Sequence, residues 1–211
     1  MRFEEFHRLN LKNRIFTMQS MKLLGYDRET LRRQLQNWIK QGYVIQLKKG
    51  LYAYLGLEKN KLFSNFYVAS LLYGDNAYIS LESAMSFYEL IPERVFQVSL
   101  VSTSKTKTFI NDLTSFNYKH IKPNLFDYFI NQIDEFGAVY KIAYPEKALL
   151  DYIYFKVKAN QNINEDFFEE NLRLQNIEIL KISRLKELEK LFNMKKISHA
   201  IAVLERILKN A

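Results

Sequence analysis

Apolar and polar positions recur along this chain in more than one period, and the period changes with the segment. Thr17 stands before a short run, residues 18–24. Phe16 and Met21 there take the two partner positions of a hydrophobic staple, and Gly25 lies just past the end, which predicts a short helix. Asp27 then offers an N-cap for a second helix, residues 28–41, where Leu31, Leu35, Trp38 and Ile39 fall at i, i+4, i+7 and i+8 and mark a core face. At about 100° per residue the opposite face carries Glu29, Thr30, Arg33, Gln36, Asn37 and Lys40, with Arg32 on its flank. Gly42 stops that helix, and residues 43–47 and 51–55 read as two short strands about a Lys48-Lys49-Gly50 turn. Further on, Asn65–Tyr73 reads as a helix and Ala77–Ile79 as a strand, with Ser80 capping a helix that runs through Glu82, Met85 and Tyr88. Strands are predicted at 95–101, 117–121 and 138–142. Pro145 suits the first position of a helix whose first turn holds Glu146. Residues 164–172, 183–192 and 197–209 have helical spacing, Ile197, Ile201, Leu204 and Leu208 lining one face.

These elements divide the chain at residue 56, and the charge divides with them. Residues 1–56 hold 11 Lys+Arg against 4 Asp+Glu, whereas residues 57–211 hold 20 against 19, so nearly all of the net +8 sits in the first quarter. A basic module that docks on a polyanion, joined to a near-neutral module, fits that asymmetry. The 211 residues are 48% hydrophobic and 15% aromatic with only 6 Gly and 3 Pro, which calls for packed cores and few long linkers. The most apolar windows, such as 148–155, fall far short of the roughly 20 residues that span a bilayer, and the first ten residues hold two glutamates where a secretory signal has an apolar run. The expectation is a cytoplasmic chain with no membrane segment. With no cysteine, disulfides and thiolate-ligated zinc or iron–sulfur sites are excluded.

Helix, turn, helix and basic hairpin is the order of a winged helix-turn-helix, so the expected fold class is α+β: a winged helix-turn-helix over 1–56, then a mixed α/β domain over 57–211 ending in helices. A helix that reads the major groove of double-stranded DNA needs long polar side chains on its outer face. Arg33 suits bidentate pairing with guanine and Asn37 with adenine, while Lys48 and Lys49 at the hairpin suit phosphates or the adjacent minor groove. The candidate DNA-binding set is Thr30, Arg32, Arg33, Gln36, Asn37, Lys40, Lys48 and Lys49. A solvated basic face, or one that contacts protein, is the alternative.

Three further stretches follow in a set order: NFYVASLLYGDNAYISLESAMSFYELIPE from Asn65 to Glu93, VSLVSTSKTKTF from Val98 to Phe109, and AYPEKALLDYIYF from Ala143 to Phe155. With the hairpin ending KKGLYAYL, they resemble the AbiEi family of antitoxins from type IV toxin–antitoxin, or abortive-infection, systems of antiviral defence. The resemblance covers most of residues 15–155. Glu89 departs from it, standing where the family pattern has a small residue, often Gly, and Leu81 replaces a more polar one. The resemblance implies a repressor of its own operon, bound at its promoter on inverted repeats, whose C-terminal domain counters a nucleotidyltransferase-like toxin without a stable complex.

Read by itself, the second module offers little chemistry. His7, His120 and His199 lack ligand spacing, and Gly74 and Gly137 are the only glycines after residue 56, so neither a phosphate-cradling loop nor a nucleophile elbow is present. Glu82, Glu146, Lys147 and Asp151 are the best catalytic candidates, but each has an ordinary structural role. No catalytic, metal or cofactor residues are assigned, and the chain reads as a non-enzyme. STSKTKTF reads as a polar loop presenting Lys105 and Lys107. With Glu146, Lys147 and Asp151 as exposed charges of the following helix, these form the candidate antitoxicity surface. The alternatives are a ligand-sensing winged-helix regulator with no toxin partner and a DNA-tethered nuclease.

Overall fold

Phe6, Phe16, Met21, Leu31, Leu35, Trp38, Val44 and Tyr54 gather into one buried cluster at the N-terminal end. The structure is a computed structural model that describes residues 2–10, 14–22, 27–159 and 161–210. The elements that deliver the cluster are α1 (Phe3–Asn10), β1 (Ile15–Thr17), α2 (Met18–Lys22), α3 (Arg28–Lys40), β2 (Val44–Lys48) and β3 (Leu51–Tyr54). The staple residues Phe16 and Met21 are both buried, and Thr17 and Ser20 cap α2 reciprocally, each hydroxyl accepting the other's backbone N–H. Leu24 and Gly25, the predicted end of that helix, lie outside the described residues. Asp27 caps α3, its carboxylate accepting the Thr30 N–H at 2.9 Å. The three strands form an antiparallel sheet in the order β1-β3-β2. β1 is an addition to the sequence reading, too short to carry an alternation of its own.

A second sheet has six strands in the order β6-β7-β5-β4-β9-β8. Its members are β4 (Ala77–Ile79), β5 (Val98–Ser102), β6 (Lys107–Ile110), β7 (Ser115–His120), β8 (Phe129–Ile133) and β9 (Val139–Ala143). It is mixed: β4–β9 and β5–β7 run parallel, and β4–β5 and the edge pairs β6–β7 and β8–β9 run antiparallel. Its helices are α4 (Asn65–Tyr73), α5 (Leu81–Phe87), α6 (Pro145–Lys158), α7 (Ile182–Phe192) and α8 (Lys195–Asn210). The chain is thus a mixed α+β protein with N-terminal helices. The segment predicted as a helix at 164–172 contains a π-helical turn, Phe167–Asn171, that buries Phe167 and Phe168. Ser80 precedes α5 but does not cap it, because its hydroxyl is turned to Asp151 instead.

The two sheets are not separate bodies. Ile45, Leu47, Leu51 and Ala53 of the small sheet belong to the same buried cluster as the residues of the six-stranded sheet and its helices. α4 contacts β2 and also β4, β5 and β9. Asn111, in the β6–β7 turn, donates to the Leu47 carbonyl at 3.1 Å. A boundary at residue 56 therefore falls inside one continuous core.

Candidate nucleic-acid interface

Burial of Leu31, Leu35 and Trp38 fixes which way α3 faces. Trp38 stacks on Phe6 with ring centroids 4.1 Å apart, and Phe6 meets Tyr54 edge-on. That packing turns Thr30, Arg32, Arg33, Gln36, Asn37 and Lys40 outward, and all six are exposed. Arg32, Arg33 and Lys40 have no ion pair among the described residues. Lys49 is exposed at the hairpin turn, which Gly50 closes at φ +83°. Seven of the eight predicted residues therefore share the accessible surface of this unit.

Lys48 is the exception, and its predicted role at the hairpin tip is corrected. It belongs to strand β2, and its Nζ donates to the carbonyls of Leu72 at 2.8 Å and Leu71 at 3.3 Å. Those carbonyls lie in the last turn of α4, where no intrahelical donor remains and a cation also meets the negative end of the helix dipole. Burial, and next the charge of Lys107, pushes the Lys48 pKa down. The ammonium fastens the small sheet to the second unit.

The candidate surface of the second unit divides in the same manner. Lys105 and Lys107 are exposed, but Lys107 lies in strand β6, not in a loop, with Nζ 4.5 Å from the centroid of the Phe109 ring. Glu146, Lys147 and Asp151 are not on the surface at all: each has 0% exposure. Lys147 and Asp151, one helical turn apart in α6, form an ion pair. Lys147 also donates to the Tyr78 hydroxyl at 2.8 Å and lies over the rings of Phe192 and Tyr78. The other oxygen of Asp151 accepts from Tyr78 at 2.9 Å and Ser80 at 2.8 Å, so all polar atoms of the cluster are satisfied. Burial pushes the Lys147 pKa down against the opposing pull of Asp151, and it raises Tyr78 well above its ordinary value. Glu146 accepts the Lys181 backbone N–H at 2.7 Å and pairs with Arg184 at 3.1 Å, docking the start of α7 onto α6. With no solvent contact, none of the three can meet a partner or a substrate.

The histidines are spread out. His7 bonds the Tyr54 hydroxyl at 2.6 Å, His120 lies 3.0 Å from the Ser104 carbonyl, and His199 is exposed. Among the described residues no group of three His, Asp or Glu is placed to hold a metal ion, and no helix is long and apolar enough to cross a membrane. No family model matches the chain, and no curated protein matches it.

Proposed function

We propose that this protein is a winged-helix repressor that binds double-stranded DNA through α3 and Lys49, and that it serves as the antitoxin of a type IV operon encoding a nucleotidyltransferase-like toxin. The observation that carries the DNA-binding half is the outer face of α3: six polar side chains, three of them cationic without an ion pair among the described residues, on a helix whose rotation is locked by Trp38. The element order α1-β1-α2-α3-β2-β3 with the sheet β1-β3-β2 supports the same reading. The antitoxin half rests on the resemblance in YISLESA and AYPEKALLD.

Binding of the full chain to its own promoter, followed by fluorescence anisotropy across a salt series, tests the first half. Arg33→Ala should weaken specific binding by about 1–3 kcal/mol and relax preference at one base pair. Lys49→Ala should weaken all sequences alike and lower the salt slope by about one. Equal, sequence-independent losses from both variants would remove the base-reading role of Arg33. For the second half, the pair Arg33→Ala and Lys49→Ala should abolish repression yet still rescue growth against the toxin when both genes are driven from foreign promoters. If the wild-type chain fails to rescue growth, the antitoxin assignment falls and the DNA-binding one stands.

A further inference from the structure

A cavity of about 600 Å³ opens where the N-terminal unit meets the second unit. Arg14, Phe16 and Met21 line it from one side, and Leu62, Phe63 and Phe136 from the other. Its size lies within the ~300–1,000 Å³ of small-molecule sites, and most of the residues that line it are apolar or aromatic by type, with polar atoms exposed between them. Among the described residues that line it, Arg14 is the only charged one. Its guanidinium packs on Tyr54 and Gly56. It lies 5.5 Å from the centroid of the Tyr54 ring and packs so close to Gly56 that a Cβ there would stand 2.6 Å from Nη1. Gly56, at φ +85°, is favoured by its backbone conformation. Yet Nη1 is buried without an acceptor, and no carboxylate among the described residues pairs with Arg14. A half-buried cation without a partner costs free energy in the ligand-free chain.

From this lining we infer that the cavity binds a small organic carboxylate with an apolar body, its carboxylate against Arg14 and its hydrocarbon against Phe16, Met21, Leu62 and Phe136. A carboxylate offers a guanidinium two parallel acceptors and a single neutralising charge. A phosphate monoester would bring close to two charges to one cation. An uncharged hydrocarbon would leave the cation unpaired. The site stands independently of whether α3 binds DNA.

The test uses the full chain with octanoate, octanamide and inorganic phosphate as probes, read by calorimetric titration and thermal melting. Octanoate well above its Kd should raise Tm by a few degrees. Octanamide and phosphate should leave Tm near its starting value. Arg14→Gln should melt no lower than wild type, since it removes an unpaired cation, and should bind octanoate about tenfold or more weakly. Leu62→Trp keeps the guanidinium and fills the cavity, so it should also lose octanoate binding, and it decides the matter should Arg14→Gln fail to fold. Octanamide binding as tightly as octanoate, or octanoate affinity unchanged in both variants, would overturn the proposal.

Discussion

Lys147 and Asp151 are oppositely charged groups one helical turn apart, both without solvent contact, and each is compensated by the other. Removing one leaves the other stranded. Lys147→Met leaves Asp151 with only the neutral donors Tyr78 and Ser80, and it should cost about 3–5 kcal/mol of stability. Lys147→Met together with Asp151→Leu should recover most of that loss, because the uncompensated charge is gone. Urea titration of the singles and the double gives the coupling directly, and additive losses would show that the pair is not coupled. The spacing of the pair was readable in AYPEKALLDYIYF, but its burial was not. Ala148, Leu149, Leu150, Ile153, Tyr154 and Val157 point in nearly all directions around α6, and a helix apolar all round is an interior one. Charges on such a helix go inside with it, whereas a reading residue by residue leaves Lys and Asp on the surface.

At the scale of elements, the ends of α5 hold local strain. Glu89 has φ +57°, its N–H reaching the Ser86 carbonyl while the Leu90 N–H reaches Met85, the paired bonds of a Schellman end. Leu81, fully buried at the other end, also has positive φ, at +56°. A left-handed non-glycine residue costs about 1–2 kcal/mol, and glycine gives part of that back through its freer unfolded chain. Glu89→Gly should therefore leave the protein as stable as wild type or raise stability by up to about 1 kcal/mol, measured by thermal melting. A clear loss would mean that the Glu89 side chain contributes more than its backbone strain costs. A positive φ is the conformation that favours glycine, and Glu89 goes against that preference. α3 was legible because its apolar spacing and its Asp27 cap agree. β6 and β8 were not, because they are edge strands. KTFI has three of its four residues exposed, and its lysine and threonine resemble a solvated loop until β7 pairs with it.

For the whole molecule, the charge asymmetry at residue 56 marks a change of surface, not a gap in the core. Net charge is carried by exposed side chains, so it carried no information about Ile45, Leu47, Leu51 and Ala53, which pack into the larger cluster. Cutting the chain at 56 strips Ile45, Leu47 and Leu51 from their partners, a loss of order 5 kcal/mol or more against a typical total of 5–15. The fragment 57–211 should accordingly be poorly soluble or melt far below the intact chain, and calorimetry of the intact chain should show a single transition with equal calorimetric and van't Hoff enthalpies. Two resolved transitions, or a well-folded 57–211 fragment, would contradict the shared core.

Lys48, anchored to the end of α4, has a bearing on genetics. With the small sheet tied to the second unit by that ammonium and by a common core, a lesion deep in either unit reaches both. On the proposed function, random mutagenesis scored for promoter silencing and growth protection should return variants that lose both together wherever the altered side chain is interior. Alleles that part the two phenotypes should be confined to solvent-facing positions such as Arg33, Lys49, Lys105 and Lys107.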